Sequence, residues 1–239
     1  MHIVVEPLSQ LWWGGLLFSV IGITLLLLLF KKPLQAYQLP FMKTLSVMLV
    51  FSWIYGHYNA LFITESWSLQ YNLPLHLCRI SIIIGMITLW KAKQWMYEWL
   101  LFLSIPSGIH SILTPEFTQG ISTYLIFDYY FVHGALIFIP LFLTFNRGML
   151  PRKDAWRRSF LNVQVPLAII FPLNFYLGSN YMYLAEKPMV DNPFLMGDWP
   201  WYIIGLELVL MLHIAIIYLP FALKTVSYTH LTLPTILLV

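Results

Sequence analysis

The chain alternates long apolar runs with short polar stretches, and the length of the apolar runs is its most informative feature. A helix rises about 1.5 Å per residue and needs about twenty apolar residues to cross a hydrocarbon core of about 30 Å. Runs of this length predict an all-α fold, a polytopic bundle of seven transmembrane helices. The predicted spans are residues 9–30, 41–63, 73–90, 96–113, 124–145, 160–177 and 201–223.

Basic residues support this arrangement because they fall almost entirely on one side of the predicted membrane. Cytoplasmic loops of membrane proteins carry an excess of Lys and Arg. With the N-terminus outside and the C-terminus in the cytoplasm, only Lys187 lies in an external loop and only Arg79 lies within a span. The other basic residues lie in the predicted internal loops or at the inner helix ends: Lys31, Lys32, Lys43, Lys91, Lys93, Arg147, Arg152, Lys153, Arg157, Arg158 and Lys224.

Composition narrows the class further. Hydrophobic residues make up 59% of the chain and charged residues 10%, against about a quarter charged in soluble proteins. Residues 1–224 are therefore expected to form one transmembrane domain. The net charge of +3 does not indicate a nucleic-acid partner, and a single cysteine excludes an internal disulfide framework. The sequence has no glycine-rich phosphate loop, CxxC pair or HExxH motif, so no metal and no cofactor are predicted from a motif.

The last residues are set apart from this domain. Residues 225–235 resemble the in-frame translation of a common transposase sequencing adapter. Residues 225–239 are therefore interpreted as an assembly artefact and excluded from the fold argument. The natural sequence that follows Lys224 is expected to be missing.

Polar side chains inside the spans gather at one depth. In the predicted orientation, six of the seven helices contribute a polar group to the extracytoplasmic half, where ionisable residues are costly and usually functional. Prolines 74, 106 and 172 lie at a similar depth and are expected to break their helices beside a cavity, with the fourth span interrupted at residues 104–108. The sequence predicts a polar pocket there, lined by His57, His76, Arg79, His110, Asp128, His133, Asn174 and Glu207.

Three residues able to take part in catalysis, His76, Cys78 and Arg79, lie together in the stretch Asn72-Leu73-Pro74-Leu75-His76-Leu77-Cys78-Arg79. In a regular helix His76 and Arg79 share a face, whereas Cys78 points to the other side. A cysteine–histidine dyad therefore requires that Pro74 distort the first turn, or that a histidine from another helix, such as His133, reach Cys78. Structural roles compete with these chemical ones. Arg79 is able to pair with Asp128 or Glu207, Cys78 to pack, and His57, His110 and His213 to form interhelical hydrogen bonds.

Two motifs resemble those of the YwaF-like family of bacterial integral membrane proteins. They are Leu73-Pro-Leu-His-Leu-Cys-Arg-Ile80 and Asn174-Phe-Tyr-Leu-Gly-Ser-Asn-Tyr-Met-Tyr-Leu-Ala-Glu-Lys-Pro188. The chain is similar, more distantly, to a eukaryotic branch of membrane proteins that transfer acyl groups between phospholipids through a cysteine acyl-enzyme. In that branch the cysteine directly precedes the histidine, at the place of Leu75 here. The resemblance implies a multi-pass protein of the bacterial cytoplasmic membrane with membrane lipids as partners.

Three functions are weighed from these residues. The first is a membrane-embedded lipid acyltransferase or hydrolase, with Cys78 as nucleophile, His76 or His133 as general base and Arg79 as clamp for a phosphate or oxyanion. The second is a transporter or receptor for a polar solute, with Arg79, Asp128 and Glu207 as ligands. The third is a haem or zinc site built from histidines, which the absence of HxxxH spacing disfavours. The sequence favours the first and leaves the oligomeric state open.

Overall fold

The computed structural model describes residues 3–117, 120–188, 195 and 197–232, with side chains up to residue 223. The adapter-like tail therefore lies partly outside the described residues, and the described part of it continues the last helix. In the described ranges the α-helices are α1 (Gln10–Lys31), α2 (Gln38–Tyr58), α3 (Leu77–Trp90), α4 (Gln94–Trp99), α5 (Ile105–Leu113), α6 (Thr123–Phe145), α7 (Ala155–Leu177) and α8 (Trp201–Thr232). Two short strands, β1 (Ile3–Val4) and β2 (Glu116–Phe117), pair antiparallel.

Five of the helical segments are long and apolar enough to cross a membrane, so the protein is a multi-pass integral membrane protein. They are Gln10–Lys31, Gln35–Ile63, Thr123–Phe145, Ala155–Leu177 and Trp201–Leu223. The predicted third span is represented by the shorter apolar helix α3, with 14 residues. The predicted fourth span is divided among α4, a π-helical turn at Leu100–Ser104 and α5.

The helix boundaries follow local chemistry. The Ser9 side chain accepts a hydrogen bond from the Trp12 N–H at 3.3 Å, and Ser122 accepts one from Leu125 N–H at 3.2 Å, so each serine caps its helix. Gly178 ends α7 in the left-handed conformation, with φ of 61°. Helix α3 begins at Leu77, four residues later than the predicted span, because proline disfavours the helical conformation around it.

Proline 106 does not interrupt the predicted fourth span as expected. It lacks an N–H group, and its ring would clash with the carbonyl of Phe102 in a regular helix. The wider π-helical turn Leu100–Ser104 lies immediately before this position and keeps the segment helical. Ser104 Oγ donates to the carbonyl oxygens of Leu100 at 2.5 Å and of Leu136 in α6 at 2.8 Å. The side chain thus stabilises the turn and joins it to α6.

The segment formed by α4, the π-helical turn and α5 is the centre of the bundle. Residues 96–106 are all buried, and the segment contacts α3, α6, α7 and α8. By contrast, α1 and the 201–223 part of α8 bury less than a fifth of the residues in their most apolar stretches, as helices that face lipid do. The core therefore surrounds α4, the π-helical turn and α5, and the other helices pack around them.

Contacts between helix ends define two ends of the bundle. At the first end, Gln38 Nε2 donates to the Phe30 carbonyl at 2.9 Å, and Asn146 Nδ2 donates to the Leu27 carbonyl at 3.0 Å. Arg152 forms an ion pair with Glu98 there. We call it the basic end, because Lys31, Lys43, Lys91, Arg147 and Arg152 lie there. At the other, Trp12 Nε1 donates to the Leu113 carbonyl at 2.7 Å and Tyr202 OH donates to the Tyr183 carbonyl at 2.6 Å. We call it the capped end, because residues 59–76, 114–117, 120–122 and 178–188 cover it.

Candidate functional site

The site is built around the start of α3 at the capped end. His76 lies just before the helix in an extended conformation, with φ of −71° and ψ of 147°, and Cys78 and Arg79 lie in its first turn. His76 is therefore outside the regular helix, so the opposition between His76 and Cys78 expected from helical spacing does not apply. Backbone N–H groups of Cys78 and Arg79 approach the thiol, as the free N–H groups of a helix N-terminus do.

The segment after α7 folds back over His76. The Met182 N–H donates to His76 Nδ1 at 3.3 Å, and the rings of Tyr181 and Tyr183 lie 5.2 and 5.6 Å from the imidazole. Met182 and Tyr183 both have positive φ, of 56° and 55°. This left-handed backbone is uncommon for such residues and is retained where the surrounding contacts fix it. The turn at Tyr181–Tyr183 thus fixes the orientation of His76.

Asn174 holds that turn in place. Its Nδ2 donates to the Tyr181 carbonyl at 2.9 Å, and its Oδ1 accepts from the Tyr181 N–H at 2.8 Å and from Ser179 Oγ at 2.9 Å. Tyr181 OH in turn donates to the Leu69 carbonyl at 2.7 Å and accepts from the Leu73 N–H at 2.9 Å. Asn174, which the sequence predicts to line the polar pocket, therefore has its buried amide engaged with the chain itself and positions the aromatic turn.

Tyr183 connects the turn to the strands of the capped end. Its hydroxyl donates to Glu116 Oε2 of β2 at 3.3 Å. Burial, and then the nearby Glu116 carboxylate, raise the pKa of Tyr183 above its ordinary value. The phenol therefore stays protonated and remains a hydrogen-bond donor. Tyr183 also lies close enough to Cys78 for the two to interact electrostatically.

His133 reaches the same cluster from α6. Its Nδ1 lies 2.8 Å from the Tyr129 carbonyl oxygen, and because a carbonyl only accepts, Nδ1 carries the proton and Nε2 has a free lone pair. The Tyr129 ring lies 4.2 Å from the His133 ring and interacts electrostatically with Cys78. A Cβ added at Gly108 would lie 2.9 Å from the His133 carbonyl oxygen, so glycine allows α5 to approach α6 here.

Arg79 is the electrostatic centre of the site. Its charge acts on five of the predicted site residues, which are His57, His76, Cys78, Asp128 and His133. Its guanidinium carbon lies 5.7 Å from the centre of the Trp53 ring, a cation–π contact. Within the described residues no carboxylate lies within 4 Å of Arg79. The direct ion pair expected with Asp128 or Glu207 is therefore not formed, and the guanidinium is exposed.

Asp128 and His57 lie at the edge of the cluster. Asp128 accepts hydrogen bonds from Ser52 Oγ and, at 3.4 Å, from Tyr124 OH. His57 Nδ1 accepts from Trp67 Nε1 at 3.1 Å, and its ring lies 5.4 Å from that of Trp53. Both residues interact electrostatically with Arg79 without a direct contact to it.

Two predicted residues have partners elsewhere. His110 Nε2 lies 3.3 Å from His213 Nε2, so these imidazoles join α5 to α8. Because His213 Nδ1 donates to the Val209 carbonyl at 2.7 Å, its Nε2 accepts a hydrogen bond from the Nε2–H of His110. Glu207 accepts from Gln164 Nε2 of α7 at 2.9 Å. Among the described contacts, none joins His110 or Glu207 to Arg79.

The structure also adds residues that sequence reasoning missed as site members. Trp53 lies between His57 and Arg79, and Tyr181, Tyr183 and Glu116 close the site over His76. The only sequence signal for them was the second motif, residues 174–188, which contains both tyrosines. A glutamate in a loop and a tryptophan in an apolar helix carry no such signal.

Chemically, the site combines a thiol at a helix start, two imidazoles of fixed tautomer and a guanidinium that has no carboxylate partner in the described part of the chain. In the part of the chain that the structure describes, no three His, Cys, Asp or Glu side chains gather as a metal site. No curated protein and no solved structure matches this chain. The model of the TMEM164 family matches residues 6–218, which contain the whole candidate site, and the chain therefore belongs to the TMEM164 family.

Proposed function

We propose that this protein is a membrane-embedded enzyme that transfers or hydrolyses lipid acyl groups through a thioester on Cys78. The observation that carries the proposal is the position of the only cysteine in the sequence, at the start of α3 beside Arg79 and within electrostatic reach of Tyr129 and Tyr183. Those two tyrosines contact His133 and His76, respectively. The thiol therefore has a cation, backbone N–H groups and two imidazoles in its surroundings.

The tautomers assign different roles to the two histidines. His133 donates from Nδ1 to a carbonyl, so its Nε2 is free to accept a proton and suits a general base. His76 accepts at Nδ1 from the Met182 N–H, so its neutral ring carries the proton on Nε2 and suits a hydrogen-bond donor. We assign His133 as the base for Cys78 and His76 as a donor to the oxygen that becomes negative in the transition state.

The reaction then has two halves. In the first, the Cys78 thiol gives its proton to His133 Nε2, and the sulfur attacks the ester carbonyl carbon of a phospholipid. The ester C–O bond breaks, the imidazolium protonates the departing lysolipid oxygen, and the acyl group remains on sulfur. In the second, His133 takes the proton of an acceptor hydroxyl or of water, whose oxygen takes the acyl group while the thiol is restored. No oxidant or cofactor is needed for either half.

Two further observations favour a lipid substrate. Arg79 is exposed and has free donors, and a guanidinium binds phosphate oxygens well. An apolar cavity of about 240 Å³ lies between α1, α5 and α6, with Ile109, Ile112 and Ile137 in its wall. Ile137 is one helical turn from His133, so an acyl chain in this cavity lies on the same side of α6 as the proposed base.

The acyl-enzyme gives the direct test. The purified full chain is incubated with a phospholipid of one defined acyl chain, and its intact mass is measured. We expect an added mass of one acyl group that hydroxylamine removes, and no added mass in Cys78→Ala. Acyl exchange into a labelled lysophospholipid should be lost in Cys78→Ala and strongly reduced in His76→Ala.

His213→Gln is the matched control, because it alters a histidine of another helix pair and should leave exchange unchanged. Exchange that persists in both Cys78→Ala and His76→Ala would exclude the proposed roles. Retention of the monodisperse elution profile in each variant separates loss of chemistry from loss of folding.

The finer topology is also part of the proposal. We propose seven spans in a bacterial cytoplasmic membrane, with the N-terminus and the capped end outside. Helical segments cover each of the seven apolar runs, and the basic residues gather at one end, which supports this orientation. In a Cys78→Ala background, Lys187→Cys should react with an impermeant maleimide on intact cells and Lys93→Cys only after permeabilisation. The reverse pattern would invert the topology.

One observation favours a second candidate, a carrier for a polar solute. Asp128 and Arg79 lie in one cluster without a direct contact, and such separated charges suit a zwitterionic ligand. A proton-coupled uptake into proteoliposomes that is abolished by Asp128→Asn and unaffected by Cys78→Ala would favour this function over acyl transfer.

A further inference from the structure

A second cavity lies at the basic end, far from Cys78. It has a volume of about 210 Å³ and forms where the start of α2, the end of α3 and the end of α6 meet. Lys43 and Arg147 line it together with Thr88, and Leu39, Trp90 and Leu143 form much of its apolar wall. The cavity thus places two cations beside an apolar surface.

Among the described residues, no carboxylate neutralises either cation. Lys43 Nζ lies 5.5 Å from the centre of the Trp90 ring, and Arg147 Nη1 donates to Gln38 Oε1 at 3.3 Å. In residues 3–117 and 120–188 no carboxylate lies within 4 Å of either cation. By contrast, the nearby Arg152 and Arg158 pair with Glu98 and Asp154. The two cations of the cavity therefore have donors left for an anion.

The position of the cavity matches the headgroup level of a bilayer. Trp90 is the last residue of α3, and Arg147 follows the last residue of α6 by two. Tryptophan and basic residues at helix ends lie where lipid headgroups begin. Leu39 precedes Lys43 by one turn on the same face of α2, and Leu39 and Trp90 are 54% and 59% exposed. An anion held by the cations thus has exposed apolar side chains directly beside it.

We propose that this cavity binds the phosphate of an anionic phospholipid, with Lys43 and Arg147 as its ligands and Leu39 and Trp90 along its acyl chains. Basic pockets between membrane helices are suited to such headgroups. Two fixed cations attract a headgroup with a net negative charge more strongly than a zwitterionic headgroup, which has no net charge. The site is independent of the acyl chemistry at the capped end, and nothing in it requires Cys78.

Lipid titration followed by native mass spectrometry tests the proposal. The full chain in detergent is titrated with phosphatidylglycerol and, separately, with phosphatidylcholine of the same acyl chains. Lys43→Gln and Arg147→Gln are each expected to weaken phosphatidylglycerol binding about fivefold, since each cation contributes on the order of 1 kcal/mol near an anionic headgroup. Their combination should weaken it about 25-fold, with little change for phosphatidylcholine.

Arg157→Gln is the matched control, because Arg157 is an exposed cation of the basic end outside the cavity. A loss in this variant as large as in the double variant would overturn the proposal in favour of a diffuse surface charge. Equal binding of both lipids by the unaltered chain would overturn it as well. An excess of inorganic phosphate that displaces phosphatidylglycerol would assign the site to free phosphate instead.

Lys43→Gln also distinguishes loss of binding from loss of folding, because Lys43 is exposed and, among the described residues, contacts the Trp90 ring alone. If Arg147→Gln elutes as aggregate after loss of its bond to Gln38, Lys43→Gln alone decides. Binding of phosphatidylglycerol to folded Lys43→Gln as tight as to the unaltered chain would overturn the proposal.

Discussion

Two charged side chains near opposite ends of the bundle differ in how far the protein compensates their charge. Glu98, near the basic end, is 2% exposed and accepts hydrogen bonds from Arg152 Nε and Nη2, from the Arg152 N–H and from Gln94. Arg79, near the capped end, has the Trp53 ring as its contact among the described residues. The carboxylate is saturated by the protein, and the guanidinium is not.

This difference distinguishes a polar group that stabilises the fold from one that is available to bind a ligand. A buried charge is tolerated when its partners are complete, and such a group then holds elements together, as Glu98 holds the 146–154 loop to α4. An unpaired cation within a predicted span serves no such purpose, and its free donors are available to a ligand. We therefore expect substitution of Glu98 to lower stability and substitution of Arg79 to lower activity.

The largest effect is expected for His133→Gln, which removes the lone pair of Nε2 from the site. Loss of a general base lowers rates by about 10²- to 10⁴-fold. The measurement is the rate of acyl exchange at saturating lipid, with His213→Gln as control. Equal losses in both variants would indicate that His133 serves packing, as His213 does.

Glu98→Ala should produce the largest loss of stability. It removes the buried carboxylate that accepts hydrogen bonds from the half-exposed Arg152 and from Gln94, and the loss of these charged hydrogen bonds should cost about 3 kcal/mol. Equilibrium unfolding in mixed detergent micelles measures this loss. The exchange rate per folded molecule should not change, because Glu98 lies away from the capped end. A reduced rate in fully folded protein would contradict the division between the two regions.

Arg79→Gln should give the opposite result. Loss of a charged hydrogen bond to the lipid phosphate should lower kcat/KM by about 10- to 100-fold. The free energy of unfolding should change by less than about 1 kcal/mol, since only the contact with Trp53 is lost. Kinetics over a range of lipid concentrations and unfolding of the same sample measure both. A stability loss as large as that of Glu98→Ala would show that Arg79 is structural.

Asn174→Ala is expected to have the smallest effect, and it tests whether a structural polar group also lies at the capped end. Although Asn174 lies at the capped end, its amide is engaged like Glu98, so we expect a loss of about 2 kcal/mol from the unpaired groups of Tyr181 and Ser179. Because the turn over His76 loosens, activity should fall as well. Asn174→Asp keeps the acceptor and should lose less of both. Full activity in Asn174→Ala would show that the turn does not position His76.

The helical frame was predictable from the sequence because the length of an apolar run is a local property. Predicted and observed boundaries agree within a few residues for most runs, as for 124–145 against α6 and 201–223 against the start of α8. The late start of α3 and the π-helical turn before proline 106 were not predicted, because both depend on local backbone relief around proline. The stretch that carries His76, Cys78 and Arg79 was identified because polar groups in an apolar run are conspicuous.

The sequence by itself determined a helical multi-pass membrane protein with a histidine, cysteine and arginine at one helix start. Only the tertiary structure decided which polar groups meet: His110 with His213, Glu207 with Gln164, and His76 with the turn after α7. The reason is that these helices are apolar around most of their circumference, so the sequence does not specify which face points inward. The rotations of α3, α6, α7 and α8 about their axes are set by packing against the buried segment at residues 96–106, and the loops of the capped end then supply the partners of His57 and His76.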